Sequence, residues 1–424
     1  MNITLHKPIF ANRVTAPTSK SAAHRGLIAA AFADGKTAIR VTGAGEDIAA
    51  TIRCLSGLGA RIEERPGEEG CSWLEVFPVS RPTQNAVLDC GESGSTLRFM
   101  VPVVAALGIK ATFLRRGRLP ERPMEPLMNE MAAHGVRFSE NSDGSLTVEG
   151  RLPAGQYTIA ANVSSQFITG LLLALSLIGK PSSLTLTGEI ESAPYIDMTV
   201  KALAAFGSTP ERTADGRHYH IQGCDKCPLR SPHILYPEGD FSGAAFPLAA
   251  GALGLHPVTV TGLSFDSLQG DKEILTLLQR FGARIDISTE HGSATAFPSS
   301  LQGIEIDARQ IPDLVPILAV IASFATGKTV IRGAARLRLK ESDRIATTAA
   351  MLRALGGNVC EMPDGLEIVG ASLHGGTVDG ANDHRIVMSA AVASLACHGD
   401  VTILGIGAEA KSYPAFFELI QSTH

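Results

Sequence analysis

Apolar and polar residues alternate along this chain in two recurring patterns. Ala- and Leu-rich runs such as GLIAAAFADG, GLLLALSLIG and AAFPLAAGALG predict helices, and each leads to a Gly. Short β-branched stretches follow, reading TAIRV, ATFL, SLTLTG, VTVTG, TVIRG and VTILG, and these predict strands. The glycines are Gly35, Gly108, Gly179, Gly254, Gly327 and Gly399, at steps of 73, 71, 75, 73 and 72 residues. A second helix family keeps the same step and ends at Gly59, Gly135, Gly207, Gly282 and Gly356. Glycine at a helix end has a local cause, because the residue after the last turn prefers a positive φ that other side chains resist.

Six units of about 73 residues are therefore expected, each too long for a solenoid repeat and suited to a small two-layer α/β element. The sixth is truncated. Pro414 to Gln421 would start its second helix, and the N-terminal run NITLHK is a candidate for its missing strand. Three units per domain gives two pseudo-symmetric domains, with crossovers near Ser19 and in the turn-rich LYPEGDFSG around Pro237.

Composition narrows the class without deciding it. The 424 residues suffice for two or three domains, and 45% apolar with 19% charged content is ordinary for a globular chain. A net charge of −5 argues against a nucleic-acid partner but leaves room for small anionic ligands held by a few converging cations. Seven scattered cysteines do not form a disulfide framework. The opening MNITLHKPIF resembles neither a secretory signal nor a transit peptide, and Ile168 to Ile178 is too short to span a bilayer. A soluble cytoplasmic protein is expected.

Chemistry concentrates at the predicted helix starts. The first family opens at Thr18-Ser19-Lys20-Ser21, Gly91 to Thr96, Ser164-Ser165-Gln166, Asp240-Phe241-Ser242, Asp313 after Pro312, and Asn382 to Arg385. Capping accounts for the Ser, Thr, Asp and Asn residues. It does not account for Lys20, Arg25, Arg98 or Arg385, since a cation in the first turns opposes the helix dipole by up to ~1 kcal/mol. An anion bound at those starts would reconcile them. The second family adds Arg122, Tyr195, Lys340, Arg344 and Lys411, with Glu341 a carboxylate in a cationic setting. Lys340 and Arg344 share a face if one helix includes both.

These segments, namely APTSKSAAHR, GESGSTLRF, ERP, SSQFITGLLLA, PYIDMT, EGDFSGAAF, RLKESDR, DHR and AKSYPAFF, resemble in order and spacing the 5-enolpyruvylshikimate 3-phosphate synthases. The resemblance implies an α/β (α+β) fold of two domains, each of three βαβαββ units in an inside-out α/β barrel. Residues 1–18 and 237–424 would form one domain and 19–236 the other, with the active site in the interdomain cleft. It implies transfer of the enolpyruvyl group of phosphoenolpyruvate to the 5-hydroxyl of 3-phosphoshikimate by addition and elimination. No metal and no cofactor are implied, and the family is typically monomeric.

Carried over by residue, Lys20, Ser21, Arg25 and Tyr195 resemble shikimate-side contacts. Ser164 and Ser165, with Lys340, resemble those around its 3-phosphate, and Gln166 and Asp313 are also shikimate-side contacts. Lys20, Gly94, Arg122, Gln166 and Lys411 resemble contacts to phosphoenolpyruvate, with Arg344 and Arg385 clamping its carboxylate. Asp313 and Glu341, with Lys20, resemble the acid–base groups. Three positions depart from the family: Glu92 where Asn is frequent, Phe99 where a small residue or Pro is, and Arg336 where some members have Asn. Gly94 leaves space beside the phosphoenolpyruvate site, so sensitivity to glyphosate is expected.

Other readings remain. UDP-N-acetylglucosamine enolpyruvyl transferases share the fold but usually carry a reactive Cys in a mobile loop, and Arg115 to Met128 has none. A non-catalytic anion-binding relative would have lost an acid–base or cationic group, whereas all are present. His218, His220, Cys224 and Cys227 have the chemistry of a zinc site, although a solvent-facing hairpin explains them as well.

Overall fold

In a computed structural model, which describes residues 1–68, 70–223 and 229–421, the chain divides into two compact units. One comprises Met1–Ser19 with Glu238–His424, the other Lys20–Pro237.

The Lys20–Pro237 unit carries helices α1 (Lys20–Ala31), α2 (Glu46–Gly57), α3 (Gly94–Leu107), α4 (Glu125–Ala133), α5 (Ser165–Leu177) and α6 (Ala193–Ala205). Its third repeat shows the design. Strands Gln156–Ala160 and Ser182–Thr187 are parallel and joined through α5. After α6, strands Glu211–Arg212 and His218–Ile221 return antiparallel, and the last of them inserts beside Ser182–Thr187. Residues 86–149 repeat this order. The first repeat takes its opening strand from the far end of the unit, because Ile234–Leu235 pairs in parallel with Thr37–Thr42.

The other unit carries α7 (Phe241–Leu253), α8 (Ile274–Arg280), α9 (Val315–Phe324), α10 (Arg344–Ala354) and α11 (His384–Ala393). Here Arg13–Thr15 supplies the opening strand beside Val258–Thr261. Asn2–Leu5 pairs antiparallel with His398–Leu404 and so joins the sixth sheet. The remainder of that repeat departs from expectation. Phe416–Leu419 forms a 3₁₀ turn, and Ile420–Gln421 pairs with Ile9–Phe10. The reason is packing: the buried Phe416 ring lies 6.0 Å from Phe10, 5.8 Å from Phe246 and 5.7 Å from Tyr413.

Helices α1, α3, α5, α7, α9 and α11 are buried along most of their length, and α5, α7 and α9 are apolar nearly all round. The alternate helices bury one face, as α2 does with Ile48, Thr51, Cys54 and Leu55. Helices thus fill the interior and sheets cover them, the arrangement of an inside-out α/β fold. Each unit has its own apolar core.

The second-family glycines behave as expected, since Gly59, Gly135, Gly207, Gly282 and Gly356 all take positive φ just past α2, α4, α6, α8 and α10. The first family is mixed. Gly108 and Gly179 do the same after α3 and α5, but Gly254 is extended at φ −80° and Gly35 is not left-handed. Gly327 is left-handed just before strand Lys328–Arg332, and Gly399 is left-handed as the second residue of strand His398–Leu404, both beyond the helix end.

Candidate active site

The helix starts divide by how their polar side chains are used. Ser93 caps α3 by accepting from the Thr96 amide, Ser164 caps α5 from Gln166, Asp240 caps α7 from Ser242 and Gly243, and Asp383 caps α11 from Arg385. Asp313 differs. It sits in the 3₁₀ turn Pro312–Leu314 ahead of α9, and its carboxylate faces cations.

In the unit holding α7 to α11, Arg344 Nη1 lies 2.8 Å from Asp313 Oδ1, while Lys340 Nζ and Arg385 Nη2 are each 3.5 Å from that carboxylate. The 2%-exposed Arg344 side chain also binds Glu341 at 2.7 Å and Asp383 at 2.8 Å. Asp383 further accepts from the Ser342 hydroxyl at 2.9 Å, so the residue that caps α11 also orients Arg344. Lys411 Nζ donates to the Asn382 carbonyl at 2.7 Å, in a left-handed turn before α11.

The electrostatics follow from burial and charge. Burial pushes the Asp313 carboxyl up, but Lys340, Arg385 and Arg344 outweigh it and hold the group well below the usual range. Burial pulls the Lys340 ammonium down to about 8, offset in part by Asp313. For Arg344 burial acts downward too, yet Asp383, Glu341 and Asp313 raise it above its ordinary value.

In the unit holding α1 to α6, Lys20 opens α1 and pairs with Asp47 on α2 at 2.8 Å. Arg25 is buried and donates to Thr199 (2.8 Å), Thr169 (3.0 Å) and the carbonyls of Ser21 (2.6 Å) and Tyr195 (2.8 Å). Burial lowers its guanidinium to about 10. Its guanidinium lies 5.2 Å from the centre of the Phe99 ring, so Phe99 is packed against α1 inside the core. Gly94 is the first residue of α3, and a Cβ there would meet Arg122 Nη1 at 2.6 Å. Arg98 donates to Gln166 Oε1 at 2.7 Å, and Gln166 Nε2 donates to Ser95 at 2.8 Å, tying the starts of α3 and α5 together. The Glu92 carboxylate packs against Gly117.

Such cation-rich helix starts suit anionic small molecules, and comparison with known proteins identifies the lineage. Residues 7–420 match the family model of EPSP synthase (3-phosphoshikimate 1-carboxyvinyltransferase). The chain belongs to the EPSP synthase family. A 3-phosphoshikimate 1-carboxyvinyltransferase from Clostridium novyi is 40% identical over 413 residues, covering 96% of this chain and 93% of that protein. One from Halobacterium salinarum is 39% identical, covering 99% and 98%. An EPSP synthase structure from Acinetobacter baumannii superposes with a TM-score of 0.79 at 26% identity, covering 100% of both chains. The enolpyruvyl transferase NikO from Streptomyces tendae shares the fold, with a TM-score of 0.77 at 21% identity over 99% of this chain and 98% of that one.

The residues carried over from EPSP synthases fall into two sets, each gathered within one unit. Lys20, Ser21, Arg25, Gly94, Arg122, Ser164, Ser165, Gln166 and Tyr195 lie in one, and Asp313, Lys340, Glu341, Arg344, Arg385 and Lys411 in the other. Lys340 and Arg344 do not share a helix face. Lys340 ends the 3₁₀ turn Ala335–Leu339 and Arg344 begins α10, and both reach Asp313 from there. The sequence reading missed Asp47, Thr169 and Thr199, which hold Lys20 and Arg25. The repeat offered a signal for Asp47: it follows Lys20 by the same 27 positions that separate Lys340 from Asp313.

His218 and His220 lie on strand His218–Ile221, whereas Cys224 and Cys227 fall outside the described residues. Among the described residues no helix is long and apolar enough to cross a membrane.

Proposed function

We propose that this chain transfers the enolpyruvyl group of phosphoenolpyruvate to the 5-hydroxyl of 3-phosphoshikimate, releasing phosphate. The observation that carries this reading is the convergence of Lys340, Arg344 and Arg385 on Asp313 beside Glu341, in a member of the EPSP synthase family. Lys340, with Ser164 and Ser165, takes the 3-phosphate. Ser21 and Arg25 take the shikimate carboxylate, and Tyr195 lines the ring. Arg122, Gln166, Lys20 and Lys411, at the space left by Gly94, take the phosphate of phosphoenolpyruvate, and Arg344 with Arg385 clamps its carboxylate.

The ion pairs give the chemistry its logic. Without ligand, protein carboxylates neutralise these cations. When substrate anions share Lys340, Arg344 and Arg385, the groups holding the Asp313 carboxyl down are drawn off, and its basicity rises where a base is needed. Glu341 protonates the methylene carbon, the 5-hydroxyl attacks C2, and Asp313, aided by Lys20, accepts the hydroxyl proton. The Glu341 carboxylate then takes a methyl proton back as the C2–O bond to phosphate breaks, and the proton on Asp313 leaves with phosphate, which restores both groups. Both sets of residues serve this one reaction in a cytoplasmic monomer, and glyphosate competes with phosphoenolpyruvate.

Phosphate release should require both substrates, and UDP-N-acetylglucosamine should not replace 3-phosphoshikimate. Glu341→Gln and Asp313→Asn should each lower kcat by about 100-fold or more, the usual scale for losing a general acid or base. Undiminished turnover in both variants would refute the assignment.

A further inference from the structure

Asp271 takes no part in the assignments above, yet it is the least provided-for carboxylate near them. It lies in the 3₁₀ turn Gly270–Glu273, is 1% exposed, and accepts the Ser242 hydroxyl through Oδ2. Its Oδ1 has no hydrogen-bond partner and it makes no ion pair among the described residues. The turn is fixed to the start of α7, where the Gln269 side chain accepts from the Phe241 amide at 2.9 Å and donates to the Gly239 carbonyl at 2.8 Å.

The repeat explains what is unusual. Lys20 pairs with Asp47, and Asp313 with Lys340, each 27 residues apart; Ser242 and Asp271 meet at a separation of 29. Where those repeats place a cation opposite a carboxylate, this one places a serine. A buried carboxyl with a single hydroxyl partner favours its neutral form, because an ionised one needs compensation for lost hydration. The charged groups facing it are Asp240 at the α7 cap, Asp313 ahead of α9 and Arg385 on α11. Burial first, then Asp313, raises the Asp271 carboxyl to about 7.

Resting on the function proposed above, we infer that Asp271 is a positioning residue, kept as the neutral acid, that leaves Arg385 free for the phosphoenolpyruvate carboxylate. The link is structural as well as electrostatic, since Arg385 Nη1 donates to the Ser242 backbone carbonyl at 3.1 Å while the Ser242 side chain holds Asp271. Once ionised, Asp271 competes with the substrate for Arg385.

Two measurements test this. In the unfolded chain an Asp loses its proton near 3.9, so between about pH 4 and 7 the folded protein binds the extra proton. Stability then falls as pH rises through that window and levels off above it. The unfolding midpoint of the natural chain relative to Asp271→Asn should therefore drop across that range, and a pH-independent difference would overturn the inference. The ratio of kcat/KM for phosphoenolpyruvate, variant over natural chain, should rise about tenfold from pH 6 to 8.5, through KM rather than kcat. Lys340 titrates in both proteins and cancels. A flat ratio would overturn the positioning role. If Asp271→Asn does not fold, Ser242→Ala removes the donor that steadies the ionised form and should move the break in the KM profile to higher pH; an unmoved break would refute the link. No phosphate release from the natural chain at any pH would sink the transfer reading, while the unfolding curves would still decide the proton on Asp271.

Discussion

Gly94 stands where the absence of one carbon matters. A Cβ would come within 2.6 Å of Arg122 Nη1 and 2.9 Å of its Cζ, and the atoms it meets are the far end of a flexible side chain. The fold can yield there and the guanidinium cannot stay. Gly94→Ala should thus raise KM for phosphoenolpyruvate roughly tenfold, about 1.4 kcal/mol, with little change in unfolding midpoint. Steady-state kinetics beside thermal unfolding would check both halves. Lys340 supplies a second expectation. Burial lowers its ammonium to about 8, so the charge offered to the 3-phosphate is present below that pH and lost above it. KM for 3-phosphoshikimate should climb as pH passes about 8, and Lys340→Arg should abolish the climb because a guanidinium stays protonated. Gly94 came from the family resemblance, whereas Lys20, Arg25, Arg98 and Arg385 were legible in the sequence because cations at helix starts conflict with the dipole. Asp47 and Asp271 were not, because a carboxylate there agrees with it and attracts no notice.

Helices α3 and α5 show how closely the buried elements approach. A Cβ on Gly170, in α5, would run into the backbone carbonyl oxygen of Arg98 in α3 and lie 3.1 Å from the Pro102 ring. Alanine gains about 1 kcal/mol in helix propensity, but a clash with backbone cannot be turned aside and overpacking costs about 1–3 kcal/mol. Gly170→Ala should lower the unfolding midpoint and also weaken substrate binding, since the Arg98–Gln166–Ser95 chain spans the same two helices. Denaturant titration alongside KM values would test the coupling. At this scale the repeat made most elements legible, because period and turn glycines are local signals. It failed at Pro414 to Gln421, where aromatic packing on Phe10 and Phe246 won over continuation of the pattern. The condition for Lys340 and Arg344 to share a helix face is not met, because the helix starts only at Arg344.

Across the whole chain the two units are built from separate materials. The core of Lys20–Pro237 runs from Ala23 to Leu229, and the other core draws only on residues up to Ala16 or from Phe241 onward. The inserted unit is closed within its own sequence, because Ile234–Leu235 returns beside Thr37–Thr42 and supplies the opening strand of its first repeat. Its strand pairs, its cap at Ser93 and the Arg25 hydrogen bonds all lie inside those limits. A unit of that size with one contiguous core exceeds what independent folding requires. Residues 20–237 expressed alone should therefore unfold in one cooperative thermal transition and keep near-ultraviolet dichroism from Trp73 and Tyr236, whose rings meet edge to face at 5.6 Å. The fragment should bind 3-phosphoshikimate more weakly than the full chain, since Lys340 and Asp313 are absent from it, and should release no phosphate. A broad, non-cooperative melt without near-ultraviolet signal would show that the inserted unit depends on the rest of the chain for its packing.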